Sequence, residues 1–401
     1  MEFTRQQKLI VFLLGFMGFW IMGDNFAAAP VIVDIARDFS LDIGTAAITV
    51  AAYMLPFGLF TLIFGPLADK HGKAKVLSVA AFGTAIFSAL GAAAFNISSL
   101  SVIRAINGGF AAAFLPVTMS LVGDSFEKPE DAQNAIGTVL GMYFLGAAAA
   151  TGIGGGLSYL GSWRLVYLAY GIAEFPIAIS IFLTLERKPG VSGSLNFRKV
   201  YGEALDRPDL IKAVALLSLV GFAVFGSFTY MGEYIQTSTG LNLLGVGLIL
   251  SLFGIAAVIS GRQSGRLKKK LGNKLLAFAG LVGLIALAVT AVKPIMVLLI
   301  PALVGYGFAF IILQSTLITS AQQVMPKRRG TVMALASFNL FIGGAIGVQL
   351  NRMILKTGGY GIVFFIAGAV LLLAGIIASI KLEKTPGKGR KNRNRPGESG
   401  G

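Results

Sequence analysis

Four ionisable residues stand where ionisable residues are expensive. Asp24, Arg104, Glu174 and Glu233 each interrupt a long apolar run of the 401-residue chain, and a charged side chain inside a bilayer costs roughly 2.5–3.5 kcal/mol on insertion scales. Each therefore needs a reason. A carboxyl group in such a place can exchange a proton with solvent or neutralise a cation. Asp24 sits beside Asn25 and six residues before Pro30. Either it does that chemistry, or it is fixed by Arg104 to orient helices. Arginine keeps its charge, so Arg104 needs a carboxylate, a ring of carbonyls, or a route for its head to the membrane interface. Glu174, near the middle of its run, reads as a hydrogen-bonded structural acid, a lateral-opening feature or a second proton site. Glu233, just after Tyr230 and near the end of its run, reads as a coupling residue or a solvated mouth residue.

The remaining side chains exclude most other chemistry. With no Cys there is no disulfide, thiolate nucleophile or Cys-based zinc site, and the single histidine, His71, leaves no cluster for a metal. Walker A, GxGxxG and catalytic-triad patterns are missing in any suitable context. The sequence thus predicts no enzyme, no metal and no cofactor. Energy has to come from an ion or substrate gradient, with protons as the expected source.

These residues are carried on apolar runs. The chain is 55% hydrophobic and only 13% charged, with mean hydropathy +0.78, far from an ordinary soluble composition. Twelve runs of about 20 residues each are long enough to span a bilayer as helices, and period-two alternation, the mark of a β-barrel, does not occur. We place the runs near Leu9–Val33, Thr45–Leu67, Val76–Phe95, Ser98–Val122, Ala132–Leu157, Leu165–Leu185, Ile211–Ile235, Leu243–Gly261, Leu275–Val292, Ile295–Val324, Thr331–Met353 and Tyr360–Ile380. Arg37, Arg104, Arg164, Lys293, Arg352 and Lys356 apart, all 34 Lys and Arg fall at the N-terminus or in alternate breaks that share its side. By the positive-inside rule both termini are expected in the cytoplasm, of a bacterial or archaeal inner membrane. The formal charge of +16 is then a topology signal rather than a nucleic-acid signature.

The charged, Pro- and Gly-bearing break between runs six and seven divides the chain. We expect an all-α membrane protein with a six-helix bundle at 1–185, a cytoplasmic linker at 186–210, a second six-helix bundle at 211–382 and a disordered basic tail at 383–401. The halves carry a trace of duplication: Gly65, Leu67 and Gly72 after run two recur as Gly265, Leu267 and Gly272 after run eight.

The break GPLADKHGKAK (Gly65–Lys75) resembles the G-x-L-a-D-[RK]-x-G-[RK]-[RK] cytoplasmic motif of the major facilitator superfamily, and AYMLPFGLFTLIFGPLAD before it resembles helix two of the drug:proton antiporter branch. Arg104-Ala-Ile-Asn107-Gly108 is similar to that branch's R-x-x-Q-G element, with Asn for Gln. Gly146, Ala150, Thr151, Gly154 and Gly155 lie against its G-x-x-x-G-P-x-x-G-G pattern, with Ala-Thr at the central Gly-Pro. GSWRLVY (Gly161–Tyr167) and RRGTVMALASFNLFIGGAIG (Arg328–Gly347) resemble the starts of helices six and eleven.

The resemblance implies two six-helix bundles rocking about a central cavity. It implies a secondary transporter, most readily a proton-coupled exporter of hydrophobic or amphipathic molecules. Asp24 and Arg104 would form its coupling site, and helix six, with Glu174, would lie peripherally. Gly65, Asp69, Lys70, Gly72 and Lys73 would form a cytoplasmic gate, its lysines pairing with Asp124, that latches the halves. Importers and metabolite, sugar or lipid carriers share the fold, and a channel or a non-transporting receptor is the alternative from another class.

Cavity walls mix aromatic and small polar groups, which nominates Asn25, Tyr53, Met54, Asn107, Met142, Tyr143, Phe228, Tyr230, Met231, Gln314 and Asn339. The glycines from Gly146 to Gly156 suggest close helix packing. Expected partners are a small-molecule substrate and anionic lipid at the cytoplasmic face, which a polybasic tail attracts by roughly 1 kcal/mol per residue; the chain is expected to be a monomer without nucleic acid.

Overall fold

The computed structural model describes residues 4–190, 197–292, 296–325 and 329–381. Lys293, Lys327, Arg328, part of the linker and the basic tail at 383–401 lie outside them. The described residues form helices and no strand. In order these are α1 (Arg5–Asp38), α2 (Ile43–Ala46), α3 (Ile48–His71), α4 (Lys73–Gly91), α5 (Ile97–Ala111), α6 (Phe114–Asp124), α7 (Pro129–Leu160), α8 (Trp163–Thr184), α9 (Phe197–Leu205), α10 (Pro208–Thr239), α11 (Leu243–Leu271), α12 (Lys274–Ala291), α13 (Met296–Val324) and α14 (Arg329–Lys381).

Helices dominate because a bilayer offers the backbone no hydrogen-bond partner but itself. Their first turns are closed by side chains: Thr4 and Gln7 cap α1 reciprocally, Asn96 and Ser99 do the same for α5, and Asn242 caps α11. The pairs α2–α3 and α5–α6 each make one crossing, Ile43–His71 and Ile97–Asp124. In all, 11 helices among the described residues are long and apolar enough to cross a membrane. The longest, α14, turns back at Gly359, whose φ of 68° and ψ of −177° break the helix. Its arms, 329–358 and 360–381, complete the twelve crossings expected.

Side-chain contacts define the two ends of the bundle. At the end where α1 starts, the Gln7 amide donates to the Ser125 carbonyl (2.9 Å), and a methyl on Gly72 would stand 2.5 Å from the Lys188 carbonyl oxygen. This is the basic end. At the opposite end Arg164 pairs with Asp38 (2.5 Å) and donates to the Ala94 carbonyl (3.1 Å). Between the halves runs a helix where no apolar run announces one: in α9, Tyr201 donates its hydroxyl to the Leu62 carbonyl of α3 (2.7 Å).

The halves, α1–α8 and α10–α14, touch most closely away from the basic end. There Arg352 donates to the Thr45 hydroxyl (2.8 Å), and Thr151 and Ser251 share a hydrogen bond of 3.1 Å. Nearer mid-bundle, Phe57 stacks on Phe341 with centroids 3.9 Å apart. Small residues make this approach possible. The glycine series of α7 serves both sides of that helix. A methyl on Gly146 would stand 1.9 Å from the Phe19 carbonyl oxygen of α1, and one on Gly155 would stand 2.4 Å from the Leu243 carbonyl oxygen and 3.0 Å from the Gly247 Cα of α11. The seal therefore depends on missing side chains.

Overpacking such a contact costs typically about 1–3 kcal/mol, so Gly155→Val is expected to loosen the seal opposite the basic end. The chain lacks cysteine, and a single Phe228→Cys reporter, buried just inside that seal, should react with an impermeant maleimide from that side faster when combined with Gly155→Val than alone. Equal labelling rates would show that the α7–α11 contact does not close the pathway.

Candidate functional site

Arg104 is the bulkiest charged side chain that is fully buried among the described residues. Its guanidinium is 1% exposed, and one of its nitrogens, Nη1, donates to both carboxylate oxygens of Asp24 at 2.8 and 2.7 Å. Helix α5 presents it on the face that holds Leu100, Asn107 and Gly108, buried residues one turn before and one turn after it. Rings complete the enclosure. The guanidinium carbon lies 4.3 Å from the Tyr53 ring centroid and 5.1 Å from that of Tyr167, a geometry that attracts the cation further. Arg104 thus does not reach for the interface; its partner is inside.

Glu174 joins the same cluster. Helix α8 buries the stripe Tyr167, Tyr170, Gly171, Glu174 and Ile177, and at Gly171 it lies so close to α4 that a methyl would be 2.5 Å from the Ala89 amide nitrogen. Glu174 is 1% exposed, faces the Thr84 hydroxyl and lies within electrostatic reach of Asp24 and Arg104. Helix six is therefore no bystander here. Asn107 closes the cluster from α5, donating to the Thr84 carbonyl (3.2 Å).

The central cavity is a separate place. It has a volume of about 190 Å³ and is walled by α1, α6 and α7 of the first half and α10, α11, α13 and α14 of the second. Phe26, Phe144, Phe225, Phe253, Phe310 and Phe341 dominate it; Tyr143, Gln314, Ser315, Thr319, Gln322 and Ser337 supply the polar atoms, and no charged side chain is among its described lining residues. The polar lining groups of α13, Gln314, Ser315, Thr319 and Gln322, run on successive turns toward the basic end, so the cavity lies on the basic side of the seal. From α1 the wall takes Met22 and Phe26. Asp24 lies two residues from each, roughly 200° around the helix, and faces the ion-pair cluster instead.

The sequence candidates divide accordingly. Tyr143 and Gln314 line the cavity in this conformation, whereas the other nine nominations lie elsewhere. Tyr53 and Asn107 belong to the cluster, and Asn25 is buried beside it on α1. Met142 packs on Gly15, Met54 reaches Gly344 across the halves, and Phe228 wedges between Phe26 and Phe253 at centroid distances of 5.7 and 4.7 Å. Tyr230 donates to the Val348 carbonyl (2.8 Å), Met231 is buried within α10, and Asn339 accepts from Ser218 (2.9 Å). Ser315, Thr319, Gln322 and Ser337 went unnominated, although Gln314, Ser315, Thr319 and Gln322 form a polar stripe in an otherwise apolar run. Glu233 lies apart from both places, in a shallow vestibule opposite the basic end with Asp42 and Lys356.

Known proteins share this design. The profile of the Major Facilitator Superfamily matches residues 11–348. The chain belongs to the major facilitator superfamily. Relatives include a chloramphenicol resistance protein of Streptomyces lividans, 28% identical over 371 residues that cover 88% of this chain and 91% of that protein. The multi-drug resistance efflux pump PmrA of Streptococcus pneumoniae is 28% identical over 331 residues, 80% of this chain and 82% of the pump. Among solved structures, a bacterial homologue of the lysosomal transporter Spinster, inward-facing and unoccupied, superposes with a TM-score of 0.76 at 16% identity, covering 95% of this chain and 98% of that one.

The Gly65–Lys75 segment, expected as a gate, occupies the basic end. Gly72 joins α3 to α4 with a φ of 91°, a conformation that suits glycine, and Gly272 has the matching φ of 59° in the second half. Lys73 bonds Asp124, and Asp69 lines the same cleft with Glu186 and Lys188 of the linker. That pair joins α4 to α6 within one half, so in this conformation it does not tie the halves together. Lys70 is exposed and outside the pair. Gly65 faces open space.

Leaving one member of a buried ion pair alone costs about 3–5 kcal/mol. Asp24→Asn and Arg104→Met should each lower thermal stability in detergent by that order, and the double variant should recover most of the loss. Additive losses would show the two residues acting separately.

Proposed function

We propose that this chain is a secondary active transporter that exports neutral, apolar or amphipathic small molecules, driven by protons entering in exchange. The observation that carries this is the cavity: six phenylalanine rings with amide and hydroxyl groups between them, and no charged side chain in the described wall. Such a site binds by area and shape and orients its guest by a few hydrogen bonds. Gln314 Oε1 and Ser315 Oγ are buried without a protein partner, so the wall has polar atoms to offer a ligand. The resistance names of the relatives support the same direction.

The charge asymmetry along the chain supports a cytoplasmic basic end in a bacterial inner membrane. With that orientation the cavity, on the basic side of the seal, loads from the cytoplasm and from the inner leaflet. Rocking of the halves then exchanges the seal near Thr45, Gly155 and Arg352 for one at the gate motif. Coupling passes through α1. One face of that helix touches the guest through Met22 and Phe26, and the opposite face holds Asp24 in the ion pair, so a turn or tilt of α1 changes both sites together. We further read the working unit as a monomer whose basic face attracts anionic lipid.

Inside-out vesicles from cells expressing the protein should accumulate labelled chloramphenicol when a pH gradient, acid inside, is imposed. A protonophore should abolish this. Phe253→Ala should raise KM several-fold while leaving kcat closer to wild type, because it removes contact area from bound substrate. Accumulation indifferent to the protonophore would sink the proton-driven reading; a KM unmoved by Phe253→Ala would remove the cavity from it.

A further inference from the structure

The buried cluster contains one cation and two acids. Asp24 takes both short hydrogen bonds of Arg104, which satisfies a carboxylate and leaves that pair neutral. Glu174 then has no cation of its own. Its Oε2 is buried and without a hydrogen-bond partner, and the single hydroxyl proton of its polar neighbour Thr84 is shared between Glu174 and the Ala81 carbonyl (3.0 Å). One shared donor leaves a carboxylate short of partners in an apolar interior, whereas the protonated acid can both donate to and accept from that hydroxyl.

The titratable groups around it are few: Asp24 from α1, Arg104 from α5, Tyr53 from α3, and Tyr170 one turn earlier on α8, with Tyr167 beyond. The described part of α4 facing it contributes Thr84 and no charge. On the guanidinium side, Arg104 Nε is also buried and unpartnered. One unused donor and one unused acceptor thus occupy a single cluster whose charges balance only if one proton is added.

We propose that Glu174 carries the exchangeable proton of this transporter and that, once ionised, it competes with Asp24 for the Arg104 guanidinium. This rests on the proton-driven reading above. In the conformation seen, the proton is on the Glu174 carboxyl and Asp24 is ionised. On discharge the O–H bond of Glu174 breaks, the proton passes to water on the cytoplasmic side, and the new carboxylate draws Arg104 through its free Nε–H. That weakens the hold on Asp24 and frees α1 to move. Reloading from the other side returns the proton to Glu174 and the guanidinium to Asp24.

Purified protein in liposomes tests this with labelled chloramphenicol as probe. Glu174→Gln copies the neutral acid, so the fold should survive. Accumulation driven by a pH gradient should fall at least about tenfold, while equilibrium binding of the labelled probe, whose cavity lies apart from the cluster, stays within about twofold of wild type. Glu174→Asp should restore part of the gradient-driven uptake. Infrared spectra supply a readout independent of transport: the band of a protonated buried carboxyl should be present in wild type and lost in Glu174→Gln, and it should also fade in Asp24→Asn, where Arg104 is left to Glu174, which then ionises. Gradient-driven accumulation at the wild-type rate in Glu174→Gln would overturn the assignment, as would a carboxyl band that survives Glu174→Gln. If wild-type uptake ignores the pH gradient, the proton-driven reading fails on its own, and the infrared comparison still decides where the proton sits.

Discussion

Charge neutrality inside an apolar medium is the condition that organises this molecule. Arg104 cannot shed its charge and is sealed from solvent, so it must be matched within reach of its own side chain. The match comes from Asp24, and making it draws α1 and α5 together across the first half. Everything adjacent is arranged to keep the pair dry: two tyrosine rings over the guanidinium, the α8 stripe behind it, and close α4–α8 contact at Gly171. The same dryness gives Glu174 its place. An acid here is costly to ionise unless the one available cation is shared.

The second organising fact is the closeness of the halves. Glycines at 155, 247 and 254 let α7 and α11 touch backbone to backbone, and the Thr151–Ser251 bond lies among them. In a bilayer no hydrophobic force pushes helices together, so contact area at short range, aided by such polar bonds, holds the interface. A seal of this kind has no deep interlocking side chains to unpick. It separates as a smooth surface, which suits a part that must open and close in each cycle.

Much of this was legible in the chain. Twelve apolar runs, the alternating placement of Lys and Arg, and the Gly65/Gly265 repeat give two six-helix halves, and the structure has them, with Gly359 making the final turn inside what would otherwise be one long helix. Asp24 and Arg104 were visible as costs needing a shared explanation. What the sequence hides is rotation. Met22, Asp24 and Phe26 are near neighbours in the chain but face opposite ways on α1, and only packing fixes which side meets the cavity. For the same reason most aromatic and Met residues nominated for the wall prove to be packing between helices, while the Ser and Thr of α13, unremarkable in composition, line it. The α9 helix was hidden differently: it is short and polar, and its place is fixed by Tyr201 on α3 rather than by its own apolar content.

The ring-lined cavity has an evolutionary consequence. Phenylalanine rings hold a guest through many weak contacts, each about 0.1–0.2 kcal/mol per atom pair, so no single position acts as a lock. Exchanging one ring for Leu, Met or Tyr alters affinity for many compounds slightly and for none absolutely. Selection by a new toxic compound then meets a graded landscape, in which spectrum shifts by small independent steps while the charge cluster behind α1, which is not part of the cavity wall, stays as it is.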